Sequence, residues 1–157
     1  MSLDNRPVRI ATVDDAEVTG RLLHDFNTEF VSPTPGPGVL AARLRVLLGS
    51  KDTFAILGGD PPIAVALVTL RSNVWYEGSV ALLDELYVVS SLRGRGIGSD
   101  LMVKLLTHCH SLGVEAIEIN VDEQDIDAQR FYVRHGYSCT QSDSGERAFY
   151  FYRELSR

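Results

Sequence analysis

The chain reads as an α/β fold in which helices pack on one mixed sheet (the α+β mixed-sheet class). Three observations predict it. Apolar residues recur at helical spacing in four stretches, and short β-branched runs lie between them. Residues 83–99, LDELYVVSSLRGRGIGS, pass from a buried-strand pattern through a polar, glycine-bearing turn into a helix pattern. At 157 residues and 45% hydrophobic content, the chain is long enough to bury one core, so residues 1–157 are expected to form a single domain.

Residues 8–13 read as a first strand. Asp14 and Asp15 then offer a cap and first-turn negative charge for a helix to about residue 30, with Val18, Leu22 or Leu23, and Phe26 as its apolar stripe. Pro33, Pro35, Gly36, Pro37 and Gly38 interrupt the pattern as a loop. A second helix over residues 39–48 carries Leu40, Leu44, Leu47 and Leu48. Residues 53–57 and 63–74 read as antiparallel strands joined through Gly58, Gly59, Asp60 and Pro61, and residues 75–78 turn the chain into the strand at 83–89. A long helix follows, with Ile97, Leu101, Leu105, His108 and Leu112 in register. Residues 115–121 alternate as a strand with one apolar face, and residues 125–135 form a helix that Gly136 stops. Residues 137–140 and 147–153 read as a closing hairpin around 142–146. The predicted order is β-α-α-β-β-β-α-β-α-β-β.

Composition excludes several functions. A net charge of −6 argues against nucleic acid or an anionic membrane as partner. No apolar run approaches membrane-spanning length, and the polar opening residues match neither a signal nor a transit peptide, so a cytoplasmic location is expected. Cys109 and Cys139 show no metal spacing, nor do His24, His108, His110 and His135, and no metal is expected. The run Asp122-Glu123-x-Asp125-x-Asp127 lacks the glycine turn and closing glutamate of a calcium loop.

A strand, a glycine turn and a helix start place free N–H groups and the positive helix end at one point, which suits phosphate. A P-loop needs Lys-Ser or Lys-Thr after its last glycine, whereas Gly98 precedes Ser99 and Asp100. A dinucleotide fingerprint counted from Gly94 finds Ser99 where its third glycine belongs. The remaining pattern, Arg93-x-x-Gly96-x-Gly98, fits without a gap, and here the sequence resembles the GNAT N-acetyltransferase superfamily. The later segment Asp125-x-x-Ala128-x-x-Phe131-Tyr132-x-x-x-Gly136-Tyr137 resembles that family's second motif. The resemblance covers residues 60–155 well and the first third in outline.

The resemblance implies acetyl-CoA as ligand. The main chain from Arg93 through Gly94, Arg95, Gly96, Ile97, Gly98 and Ser99 would hold its diphosphate. Three or four charge-assisted bonds of about 1.5–3 kcal/mol reach the roughly 8 kcal/mol of micromolar affinity. The pantetheine arm would lie along Leu86, Tyr87, Val88 and Val89, with the Val88 amide polarising the thioester carbonyl. Ala128, Phe131, Tyr132 and Asp125 belong to the second cofactor-contacting segment. The family's usual asparagine is replaced by Asp125, which cannot donate to a carbonyl and is also suited to cap its helix.

An alkylamine is neutral in only about one molecule in a few thousand at pH 7, so a base is useful. Asp84 and Glu85 stand in an otherwise apolar strand; a regular strand sends them to opposite faces, so at most one meets the acceptor. Motif offset favours Asp84; a carboxylate on the sheet's outer face or paired with an arginine is the competing reading of each. By resemblance Tyr132 donates a hydrogen bond to the departing thiolate, the alternative being a packed core tyrosine. Asn27, Glu29, Phe30, Trp75 and Tyr76 are the implied acceptor walls, and the acidic balance points to a small cationic amine. Peptide or protein acetylation, and non-catalytic acyl-CoA binding, are the competing functions. Homodimers are common in the family; the sequence does not itself establish one.

Overall fold

The computed structural model describes residues 7–141 and 143–155. It comprises two compact units, with the boundary between Ile119 and Asn120.

The first unit is built on a five-stranded sheet in the order β1-β2-β3-β4-β5, with β1 Val8–Ile10, β2 Thr53–Gly58, β3 Ala64–Arg71, β4 Val80–Val88 and β5 Ala116–Ile119. The first four strands pair antiparallel. β5 is parallel to β4, which requires a crossover, and helix α3 (Ile97–Ser111) supplies it. Helices α1 (Ala16–Glu29) and α2 (Pro37–Leu48) precede the sheet's central strands. α2 begins two residues before the expected start because Pro37 fits the first turn, where a missing N–H costs nothing. Gly20 lets α1 and α2 approach closely, since a Cβ there would lie 2.9 Å from the Ala41 nitrogen.

The two sheet faces have different covers. Ala55, Leu57, Val65 and Tyr87 share a buried cluster with Leu22, Leu23 and Leu44, so that face carries α1 and α2. The opposite face, with Gly58 and Ala64, meets Leu101 and Ile97 of α3, while Phe54 stacks edge-on against His108 at 4.7 Å. Leu101 and Leu105 are fully buried, each contributing about 1.5–3 kcal/mol.

β3 stops at Arg71 rather than residue 74, because Asn73 Oδ1 accepts the N–H groups of Trp75 (2.9 Å) and Tyr76 (3.0 Å) and turns the chain. β4 starts at Val80, earlier than expected, because both β3 and β5 pair its first residues.

The second unit contains α4 (Ile126–Arg134). The expected closing hairpin is reduced to one bridge between Thr140 and Arg147, with residue 142 of its turn outside the described residues. Phe149, Tyr150, Phe151 and Tyr152 are exposed, and a two-stranded ribbon without a third strand is marginal in water. Among the described residues, no helix is long and apolar enough to cross a membrane.

Candidate active site

The site is organised by an irregularity in β4. Leu83 opposes Val68 and Glu85 opposes Leu67, which leaves Asp84 as an extra residue without a partner on β3. Such a bulge resets the alternation of side chains. Thr69 Oγ1 donates a hydrogen bond to Asp84 Oδ2, so Asp84 lies on the face of Thr69. Glu85 opposes Leu67, which shares that face with Thr69. The expectation that these carboxylates point to opposite faces is therefore corrected: the bulge brings both to the face that carries α1 and α2. Loss of hydration raises the Asp84 pKa, against the Thr69 hydrogen bond, which lowers it. Burial raises that of Glu85, and the neighbouring Asp84 charge adds to it.

The bulge also marks where β5 stops. Pairing of β4 with β5 runs from Val80 to Leu83 and no further, so from Asp84 to Val88 this edge has no strand partner among the described residues. Val89 donates its N–H across to Ile63 O at 3.0 Å. Alternation then turns the N–H and C=O of Val88 and Leu86 toward the open edge, where Arg93 Nε donates to Val88 O at 2.9 Å. Tyr87 faces β3, and Val89 is already paired with Ile63 and Leu92, so Leu86 and Val88 alone of residues 86–89 offer main-chain groups there.

Beyond β4 a short 3₁₀ turn, Ser90–Leu92, leads into Gly94 (φ 75°) and Gly96 (φ 80°). Both occupy the left-handed region, which glycine enters without strain. The first non-sequential main-chain bond into α3 is from Asp100 N to Gly96 O. Among the described residues, the amides of Gly94, Arg95, Gly96, Ile97 and Gly98 have no hydrogen-bond acceptor. The helix opens without a side-chain cap, leaving a cradle of donors at its positive end.

Arg93 does not extend its charge into that cradle. Its Nη2 meets Glu29 Oε2 at 2.6 Å, and its guanidinium carbon sits 5.5 Å from the Tyr87 ring centre and 5.8 Å from that of Phe30. Arg95 is exposed and supplies the nearby cation.

The chain matches the profile of the Acetyltransferase (GNAT) family over residues 21–137. The chain belongs to the GNAT acetyltransferase family. A crystal structure from Arthrobacter sp. FB24, provisionally described as an acetyltransferase, aligns with a TM-score of 0.91 at 45% identity over 99% of each chain. An aminoglycoside acetyltransferase from an uncultured soil metagenomic sample, in complex with sisomicin, shares the fold at TM-score 0.79 and 17% identity over 96% and 97% of the chains. Aminoalkylphosphonate N-acetyltransferase of Salmonella typhimurium is 36% identical over 68 residues, a match to 43% of this chain and 44% of that protein. The chain spans less than half the length of that curated relative, and the GNAT family to which it belongs generally uses acetyl-CoA.

The GNAT span includes every element of the β4–α3 junction. Of the residues expected to wall the acceptor, Glu29 and Phe30 gather at the end of α1 with Tyr87 and Arg93, and Phe26 joins them at 5.2 Å from both aromatic rings. The Asn27 amide is engaged elsewhere, donating to Pro33 O at 2.8 Å. Trp75 and Tyr76 lie on the β3–β4 loop, exposed. In the second unit Asp125 caps α4 by accepting the Ala128 N–H at 3.0 Å. Phe131 packs edge-on against Tyr132 at 5.3 Å, and Tyr137 lies 6.2 Å from Tyr132. A surface hollow of about 380 Å³, lined by Glu17, Arg21 and Arg45 among others, shares no residue with the β4 junction.

Sequence reasoning missed Thr69 and Phe26. Thr69 carried a signal: it is a hydroxyl inside an apolar strand.

Proposed function

We propose that the protein is an acetyl-CoA-dependent N-acetyltransferase acting on a small cationic amine. The observation that carries this is the row of free amides from Gly94 to Gly98, set directly beyond the open edge of β4. These donors fit a diphosphate, and glycine at positions 94 and 96 keeps the backbone accessible: no atom lies within 4 Å of where a Cβ would stand. The edge at Leu86 and Val88 offers a main-chain donor and acceptor for an extended pantetheine arm. The Val88 N–H would polarise the thioester carbonyl.

The thioester supplies an activated acyl carbon: the amine nitrogen bonds to it, the C–S bond breaks and the thiolate leaves. Asp84 and Glu85 lie on the α1/α2 face and are held above ordinary carboxylate values, which brings them nearer to the operating pH of a general base. One of them accepts the ammonium proton, directly or through water. Tyr132 is assigned the hydrogen bond to the leaving thiolate, a role that rests on the motif.

Two neighbouring carboxylates, neither forming an ion pair with a basic side chain among the described residues, favour a cationic acceptor. An aminoalkylphosphonate carries an anion that they would repel. The test is a thiol-release screen of polyamines, amino acids, aminoglycosides, an aminoalkylphosphonate and short peptides, beside a CoA titration. Release with cationic amines supports the reading. CoA binding without release for any amine replaces the enzyme with a sensor, and no CoA binding removes the reading altogether. Tyr132→Phe should lower turnover more than CoA affinity; equal turnover removes the role of Tyr132.

A further inference from the structure

The residue that opens the diphosphate motif and the acidic residue assigned to the acceptor wall are each other's partners. Arg93 uses its guanidinium in two fixed directions: Nε to Val88 O at 2.9 Å and Nη2 to Glu29 Oε2 at 2.6 Å. Glu29 Oε1 accepts from Tyr87 Oη at 3.3 Å, so both carboxylate oxygens are occupied. Tyr87 and Phe30 rings flank the guanidinium. A planar fork can serve two acceptors at once in a way an ammonium cannot.

We propose that Glu29 and Arg93 form a positioning relay that holds the Val88 main chain, and with it the N–H aimed at the thioester carbonyl, in register with the end of helix α1. The inference rests on the assignment of Val88 given under Proposed function. Three features carry it. The pair joins residues 64 positions apart in sequence, so it links elements that no local structure connects. Both side chains keep solvent contact, 41% exposed for Arg93 and 28% for Glu29, so the ion pair adds little to stability and its direction is what matters. Finally, the chain just past Glu29 is strained: Val31, β-branched, has φ 56°. A β-branched residue stays in the left-handed region only where its surroundings over-determine it. The Asn27 amide on Pro33 O and the Ser32 N–H on Asn27 O (2.8 Å each) fix one side of that turn; Arg93 fixes the other.

The relay makes Arg93 a positioning residue rather than a phosphate ligand, and joins the acceptor side of the site to the donor side. Free CoA keeps its diphosphate contacts and meets Val88 only through its pantetheine arm, so its affinity should respond far less than turnover of the acylated cofactor. The experiment compares Glu29→Gln, Arg93→Gln and the double variant in the full chain. It measures the thermal midpoint, the dissociation constant of free CoA, kcat, and amide exchange at Val89 and Leu92. Each single variant should lower kcat about 10–100-fold, the range expected when a reacting geometry slips. The double variant should fall no further than the worse single, within about twofold, because the two act as one device. Free CoA affinity should change by less than about threefold in all three. Loss of CoA affinity in Arg93→Gln alone would overturn the relay and make Arg93 a diphosphate ligand. Additive losses of kcat would also overturn it.

Should the wild-type chain bind no CoA, the functional reading fails, yet the relay is still decided by exchange. Both singles must speed exchange at Val89 and Leu92 by a common factor of about ten. Unchanged exchange refutes the relay.

Discussion

The two halves of β4 have opposite characters. From Val80 to Leu83 the strand is paired on both edges, and Val80, Ala81 and Leu83 are almost fully buried. From Asp84 to Val88 it is paired with β3 alone and carries two carboxylates and an open main-chain edge. Nothing separates the halves except one extra residue. Before the bulge the strand is paired with a neighbour on each side; after it some backbone groups face an open edge. The conversion of core to site is therefore local, and each half should fail in its own way.

The largest effect belongs to the open half. Replacing the carboxylate that acts as base, by Asp84→Asn or Glu85→Gln, should lower kcat by about 10²–10⁴. CoA affinity should stay within about twofold, since neither side chain belongs to the diphosphate cradle. Because both groups share one face, the steady-state rates of the two single variants decide which is the base. Equal, small losses would show that solvent takes the proton and that the comparison overstates the chemistry of this half.

The paired half should fail in stability instead. Leu83→Ala removes a side chain only 3% exposed and should cost about 2–5 kcal/mol in denaturant unfolding. Leu86→Ala, beyond the bulge and only partly buried, should cost distinctly less. Similar costs would mean that the open edge is packed as tightly as the core.

β4 was legible in the sequence from Leu83 onward through its open half, whereas its paired first residues and the bulge were not. Alternation, turn residues and the helix stripes placed α1, α2, α3 and the five strands to within a few residues, because burial writes a period into the sequence. The Arg93–Gly98 pattern likewise announced a donor cradle, since positive φ at positions 94 and 96 needs glycine. An extra residue in a strand leaves no such mark. Asp84 followed by Glu85 reads as a regular alternation, and only the cross-strand register shows two carboxylates on one face. The Glu29–Arg93 pair was invisible for a related reason, because a contact across 64 positions has no local signature. The closing hairpin forms less than expected: the aromatic run at 149–152 promises a strand, but a strand also needs a partner.

Acid titration offers a third separation of the halves. Burial, with the Asp84 charge behind it, holds the folded Glu85 carboxyl above its unfolded value. Between those two values the native state binds more protons than the unfolded chain. Stability falls as pH rises through that window and stays lower above it. Glu85→Gln should therefore melt above the wild type at about pH 7, and the gap should close below about pH 4.3, where the unfolded glutamate is itself protonated. Asp15 supplies the opposite sign at the start of α1. The Arg9 guanidinium, at 2.7 Å, holds its carboxyl down to about 2, so its contribution is present at neutral pH and lost only as pH falls toward that value. A Glu85→Gln midpoint equal to wild type at neutral pH would show that this carboxylate is as well hydrated in the fold as outside it.

The smallest effect is the most diagnostic, because it distinguishes Asp84 from Glu85 without touching either. The Thr69 hydroxyl donates to Asp84 Oδ2, and this bond is what restrains the upward shift that burial imposes on that carboxyl. The upward shift of Glu85 comes instead from burial and from the Asp84 charge. Thr69→Val keeps the shape of the side chain and removes the donor. If Asp84 is the base, the acid limb of the kcat/KM profile should move upward by up to about one pH unit, the equivalent of one lost charge-assisted hydrogen bond at an exposed site. If Glu85 is the base, the limb should move little and in the other direction, because an Asp84 that protonates more readily repels its neighbour less. The sign of the displacement thus names the residue. A limb that does not move in either direction would place the titrating group outside the bulge and detach the chemistry of the open half from its geometry.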